Sequence, residues 1–268
     1  METTVLTFGV RYVTRRIAEG IAEVGRVTLM YGAMVRALLD RRPTMRLMVE
    51  QMGTIGVGSL GLVIIVSLFT GGVAAVQAAY QFQNVVPMRF LGAVILRSVI
   101  IELGPVLTAL VVGGRVGAAI AAELGSMKVT EQIDALRAMG INPLRFLIVP
   151  RVFAATVMLP VITIFSDAIA IFGGFLVAVF TVHISPGMYT NSIKDFFYMK
   201  DLFSGLLKAV IFGNVIGTMG CFYGFATEGG AEGVGQATTR AVVSSCVLVL
   251  VLDYVLANVL FEIIFAKS

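Results

Sequence analysis

The chain is dominated by long stretches in which almost every residue is apolar. Each is at least as long as the roughly 20 residues that cross a bilayer as a helix, and the five lie at about 53–80, 88–122, 151–181, 205–226 and 238–264. They lack the alternation and the roughly ten-residue length of barrel strands. Because a backbone in lipid must satisfy its own hydrogen bonds, the pattern predicts an all-α, polytopic membrane protein with five transmembrane helices, forming a single domain over 1–268.

A different pattern precedes the first span. Across 9–40, apolar residues recur at steps of three and four, whereas Arg15, Glu19, Glu23 and Arg26 occupy another face. This spacing predicts an amphipathic helix at the membrane interface, with its arginines near anionic headgroups. A helix packed on a partner protein is the alternative.

The composition supports burial in lipid. Hydrophobic residues make up 58% of the chain and charged residues 13%, with a mean hydropathy of +0.95, against about 45–50% and about 25% in soluble domains. The net charge of +4 gives no reason to expect a nucleic-acid partner. Cys221 and Cys246 fall in apolar stretches without metal-ligand spacing, so we expect packing residues and no metal site.

The distribution of Lys and Arg predicts the orientation. Eight precede the first span, five more lie in the connections 123–151 and 227–240, and five are assigned to the other side: Arg89, Lys194, Lys200, Lys208 and Lys267. The positive-inside rule therefore predicts an N-terminus in the cytoplasm and a C-terminus outside it.

Charged residues inside the spans need partners, since each costs roughly 2.5–3.5 kcal/mol on the insertion scale. Arg97 and Glu102 are five residues apart, which separates them by about 140° on an α-helix, so each is expected to face a partner helix or a wet cavity. Structural and functional roles are equally open for Glu102, which precedes a helix break at Gly104-Pro105. Asp167 and Asp253 are expected to be structural and partnered.

Small residues recur every four positions on two spans, which allows close helix packing. Packing within one subunit and a dimer seam are both open for these two stripes: Gly113, Gly117, Ala121 and Gly125 in the second span, and Gly205, Ala209, Gly213, Gly217 and Cys221 in the fourth.

The connection after the second span predicts a short charged helix at about 126–140. Gly140 suits its C-terminal cap and Asn142-Pro143 prevents its continuation. A helix held between two spans is placed to transmit force from a soluble partner. The sequence carries no phosphate loop for ATP and no nucleophile, base or metal set, so we expect no enzymatic activity in this chain.

Three segments make the chain resemble a known family: ELGPVLTALVVGGRVGAAIAAELGSMKVTEQIDALRAMGINPLRFLIVPR at 102–151, GLLKAVIFG at 205–213 and GGAEGVGQATTRAVV at 229–243. They resemble the MlaE (YrbE, TGD1-like) family of ABC transporter permeases. The resemblance implies a homodimer in the bacterial inner membrane, with two cytoplasmic ABC ATPases and a periplasmic MCE-domain protein as partners. ATP and Mg would bind the ATPase, and this chain would hold no cofactor.

The resemblance also implies roles for particular residues. Six would lie on or beside the helix that couples to the ATPase: Glu131, Gln132, Asp134, Arg137, Met139 and Gly140. Glu102 would lie close to a lipid cavity between the subunits. Members of the family often carry a basic residue directly before that glutamate, where this chain has Ile101, and Arg97 one turn earlier is the candidate replacement.

The outer end of the first span supplies further candidates for the lipid cavity: Gln77, Tyr80, Gln81 and Phe82. For Tyr80, an interfacial aromatic anchor is the alternative. The expected function is a permease that moves phospholipid between the inner membrane and the periplasmic MCE path. The alternatives are a permease for another lipid such as a sterol, an ion-coupled secondary lipid transporter, a lipid-modifying enzyme and a structural scaffold.

Overall fold

The computed structural model describes residues 2–39, 45–82, 86–260 and 262, and the regular elements within them are all helical. Five segments are long and apolar enough to cross a membrane, which confirms the all-α class and the number of spans: Met45–Phe82, Met88–Val129, Leu144–Phe180, Met199–Phe225 and Gly230–Leu260. Arg41 and Arg42, two of the eight basic residues before the first span, lie outside the described residues, as do Lys267 and positions 261, 263 and 264 of the fifth predicted span.

Ten α-helices make up the described chain. α1 is Glu2–Leu39 and the first span is α2, Met45–Phe82. The second span contains three helices and the third, fourth and fifth spans contain one each: α3 Leu91–Ser98, α4 Gly104–Val112, α5 Ala118–Val129, α7 Val149–Phe180, α9 Met199–Phe225 and α10 Gly230–Leu260. Two short helices connect spans, α6 (Gln132–Ala138) at one end of the bundle and α8 (Pro186–Phe196) at the other. We refer to these as the α6 end and the α8 end.

The second span changes its helical pitch at the predicted break. Residues Val99–Leu103 form a π-helical turn, and the amide of Gly104 donates to the carbonyl of Val99. Pro105, next in the chain, has no N–H to continue the α-helical ladder. A second π-helical turn covers Gly113–Gly117. The irregularity predicted at Gly104-Pro105 is therefore present as a local widening, and the helix continues through it.

Both stripes of small residues pack inside the chain. On α9, a Cβ at Gly205 would overlap the carbonyl oxygen of Ile100, and one at Gly213 would overlap that of Ala155. On the second span, a Cβ at Gly125 would lie 2.9 Å from the Thr227 hydroxyl. Each stripe thus serves helix contacts within one subunit, which answers the question left open by the sequence.

Gly71 provides a test of this packing. A Cβ at Gly71 in α2 would overlap the backbone carbonyl of Ala170 in α7, whereas Gly61 on the same helix has open space around it. Gly71→Leu is expected to lower the amount of folded protein extracted from membranes severely, because backbone atoms cannot move aside as a side chain can. Gly61→Leu, the matched control, should extract at the wild-type level. Equal yields of the two variants, measured by size-exclusion chromatography, would contradict the close approach.

Like α6, the helices α1 and α8 lie outside the five spans. α1 contacts α9 and the turn Leu144–Ile148 that begins the third span, with Met34 buried. α8 is capped at its N-terminus by Ser185, whose hydroxyl accepts from the amide of Met188. Tyr189 of α8 is buried and donates to the carbonyl of Ile171. Burial raises the pKa of this phenol above its usual range, so the group stays a neutral donor.

Candidate functional site

Five charged side chains meet inside the bundle, in its half nearer the α8 end. The Lys208 ammonium lies 2.7 Å from Glu102 Oε1 and 2.9 Å from Asp253 Oδ1, so it joins the second span to α9 and α10. Arg97 donates from Nε to Asp201 Oδ2 at 2.9 Å. Lys208 is 0% exposed and Asp201 is 2% exposed. The buried members are therefore held by opposite charges, as the low dielectric of their surroundings requires.

Arg97 and Glu102 line the same groove, contrary to the predicted 140° separation. That prediction assumed an α-helix, but Arg97 lies just before the π-helical turn Val99–Leu103 and Glu102 lies within it. Hydrogen bonds in a π-helix run from i to i+5, so residues five positions apart return to the same side. The expectation that each faces another helix is confirmed, since their partners are on α9.

The groove is open and has both polar and aromatic walls. Its volume is about 660 Å³, and Phe90, Phe196 and Ile101 line it beside the two charged residues. The side chains of Arg97 and Glu102 are 41% and 42% exposed, although their partners are buried. The groove thus presents one cationic and one anionic group to whatever occupies it, a combination suited to a dipolar ligand.

The other predicted cavity residues, on α2, do not share one environment. Gln77, Tyr80 and Gln81 are exposed, and Gln77 lines an apolar groove of about 500 Å³ with Phe69, Val73 and others. Leu103, which follows Glu102, lines this second groove as well. Phe82 instead packs in a buried cluster with Ala79, Leu91 and Ile95. The prediction that Phe82 lines a cavity is wrong for that reason.

Of three interior charges, two depart from the sequence-based expectations and one agrees with them. Lys208 was assigned to the outer side but lies fully buried within α9; the remaining charges still favour the same orientation. Asp253 has the expected partner in Lys208. Asp167 does not: its Oδ1 lies against Gly104 and has no hydrogen-bond partner among the described residues. A lysine inside a strongly apolar stretch was the signal that could have identified Lys208.

The connection at the α6 end contains two helices where one was expected over 126–140. α5 ends at Val129, and Glu131 at φ 60° turns the chain into α6. α6 ends at Ala138. Gly140, two residues later, has a φ of +73° that suits glycine, and the amide of Ile141 donates to the carbonyl of Leu136 to close the cap. The predicted C-terminal cap is therefore confirmed.

One side of α6 is buried against the bundle, and the other side is exposed. Ile133 is 0% exposed and belongs to the main core cluster. Asp134 pairs with Lys128 at 3.3 Å and with Arg137 at 3.0 Å. Met139, just after the helix, is 65% exposed. The exposed side of α6 thus carries a small charge network next to an apolar tip.

Arg151 ties this connection to the bundle, a role that the sequence did not indicate. Its guanidinium donates to the carbonyl of Leu147 at 2.8 Å and pairs with Glu123 at 2.9 Å, and the residue is 5% exposed. Glu123 is in α5, before α6, and Arg151 is in α7, after it. The pair therefore closes the base of the segment that carries α6.

Comparison with known proteins identifies close relatives. A family model described as Permease MlaE matches residues 48–259. A probable ABC transporter permease protein of Rickettsia typhi is 39% identical over 240 residues, which cover 90% of this chain and 93% of that protein. The intermembrane phospholipid transport system permease protein MlaE of Haemophilus influenzae is 36% identical, over 86% and 90%. Protein TRIGALACTOSYLDIACYLGLYCEROL 1, chloroplastic, of Arabidopsis thaliana is 35% identical, over 88% and 67%.

Proposed function

The chain belongs to the MlaE family of ABC transporter permeases, and from this premise we propose that it moves phospholipid between the inner membrane and a periplasmic MCE-domain protein. Its five apolar helices and its family make it a multi-pass protein of the inner membrane. Phospholipid is proposed as the substrate because Arg97 and Glu102 are both exposed in one groove beside apolar walls.

The groove matches the chemistry of a zwitterionic phospholipid. A guanidinium binds phosphate oxygens through paired hydrogen bonds, and a carboxylate binds a headgroup amine. Leu103, next to Glu102 in the chain, lines the apolar groove at Gln77, where an acyl chain would lie. Gln77, Tyr80 and Gln81 remain candidates for its rim. The name of the Haemophilus relative, a phospholipid transport permease, supports the same class of substrate.

The energy would come from a partner. We assign ATP and Mg to two separate ATPase subunits and the docking surface to Glu131, Gln132, Asp134, Arg137, Met139 and Gly140. The exposed side of α6 supports this assignment, as does its rigid base at Arg151 and Glu123. The excess of Lys and Arg supports a cytoplasmic α6 end and N-terminus and a periplasmic C-terminus. Two copies of the chain would enclose the lipid cavity, and α1 would lie at the cytoplasmic interface.

A transfer assay tests the function. The chain is purified with its ATPase and MCE partners and reconstituted in vesicles with fluorescent phosphatidylethanolamine, and lipid reaching the MCE protein is measured. We expect transfer that requires ATP, and Glu102→Gln should lower it about tenfold by removing a charge-assisted contact. Glu50→Gln, an exposed carboxylate on α2, is the matched control.

Three outcomes would contradict the proposal. Transfer driven by an ion gradient without the ATPase would indicate a secondary transporter. Transfer of a fluorescent sterol in preference to phospholipid would indicate another lipid class. Equal transfer by Glu102→Gln and Glu50→Gln would remove Glu102 from the lipid path.

A further inference from the structure

A second cleft lies toward the α6 end, between α1, α9 and α10. Its volume is about 440 Å³, within the range of small-molecule sites. Most of its wall is apolar, with contributions from Val24 and Val27 of α1, Met219 of α9, and Val247 and Leu248 of α10. Nothing in the function proposed above uses this cleft.

One part of the cleft is polar. The Tyr223 hydroxyl and the Ser244 hydroxyl are 2.7 Å apart and both line it. Two opposite charges face the same phenol: Glu23 from α1, which also lines the cleft, and Arg240 from α10. A carboxylate and two hydroxyls therefore meet above an apolar wall, and Arg240, which does not line the cleft, is close enough to act on the same phenol.

This cleft is separate from the groove at Glu102. Lys208, the partner of Glu102, and Tyr223 are both on α9 and fifteen residues apart, which is about 22 Å along a helix. The two sites are thus at the levels of opposite membrane leaflets. A lipid in this cleft would not occupy the proposed transport groove.

We propose that the cleft between α1, α9 and α10 binds a zwitterionic phospholipid of the leaflet at the α6 end. Its amine pairs with Glu23, its phosphate pairs with Arg240 and the two hydroxyls, and an acyl chain lies along Val27, Val247 and Leu248. The charge pattern favours this occupant over an anionic lipid, which Glu23 would repel, and over a plain hydrocarbon, which would leave the polar groups without a ligand. The bound lipid would stabilise the packing of α1 against α9 and α10.

Photo-crosslinking tests the site with the full chain in its complex in nanodiscs. The probe is phosphatidylethanolamine with a diazirine in its acyl chain, and labelled peptides are mapped by mass spectrometry. Label is expected to concentrate on residues 20–28 and 243–248. Gly20 lines the cleft and has open space at its Cβ position, so Gly20→Leu should occupy the cleft and lower labelling there about tenfold. Gly25 on the same helix also has open space but does not line the cleft, so Gly25→Leu should label as the wild type does.

The headgroup is tested with a second pair of variants. Glu23→Gln should lower labelling by phosphatidylethanolamine about tenfold. Labelling by the phosphatidylglycerol analogue should rise toward the level seen with phosphatidylethanolamine. Glu50→Gln should change neither. Equal labelling of Gly20→Leu and Gly25→Leu, or label spread evenly over all lipid-facing helices, would each overturn the proposal. The lipid-transfer assay is not needed for this readout, so failure here is distinguishable from failure of the transport function.

Discussion

Replacing Lys208 with methionine is expected to destabilise the protein by about 3 kcal/mol, near the lower end for breaking a buried ion pair. The substitution leaves the carboxylates of Glu102 and Asp253 facing each other without a cation. Glu102 is partly exposed, which places the cost at the lower end of that range. The measurement is the fraction of detergent-extracted protein that stays monodisperse after heating. Lys194→Met, at an exposed lysine of α8, should behave as the wild type does.

The triple variant Glu102→Gln, Lys208→Met, Asp253→Asn separates structure from transport. With all three charges removed, no uncompensated ion remains in the interior, and heat resistance should recover to near the wild-type level. Lipid transfer should stay low, because Glu102 is the proposed headgroup ligand. If Lys208→Met alone were as heat-resistant as the wild type, the buried ion pairs would not contribute to the fold. Full transfer by the triple variant would make the cluster purely structural.

The large features of the fold could be predicted because they follow from solvent and backbone chemistry. Five spans follow from five apolar stretches, and the break at Gly104-Pro105 follows from the missing N–H. The cap at Gly140 could be predicted because glycine tolerates a positive φ. Each of these depends on local sequence alone.

The side-chain geometry of the site could not be predicted from local sequence. The shared groove of Arg97 and Glu102 depends on a π-helical turn, which changes the angle between them but leaves no periodic signal in an apolar stretch. The burial of Phe82 and Lys208 depends on which helices lie opposite, as does the use of both glycine stripes inside one subunit. The ion pair between Glu123 and Arg151 joins residues on two different spans. The distance between two spans cannot be derived from a single sequence.

Asp134→Lys is expected to lower lipid-stimulated ATP hydrolysis by the assembled complex about tenfold, a factor typical of the coupling between two sites. Asp134 holds Lys128 and Arg137 on the exposed side of α6, and a lysine there places three cations together on the proposed docking surface. Stability should change little, because these pairs are exposed and contribute about 0–1 kcal/mol, and because Ile133 still anchors the helix in the core.

The matched control is Glu50→Lys, the same charge reversal at an exposed position on α2 near the same end of the bundle. Both variants should insert and extract in wild-type amounts, and only Asp134→Lys should lose stimulated hydrolysis and retain less ATPase on purification. Because Arg151 and Glu123 fix the base of the segment, the loss would arise at the surface of α6 and not from displacement of the whole connection. Wild-type hydrolysis and ATPase retention by Asp134→Lys would remove α6 from the coupling path.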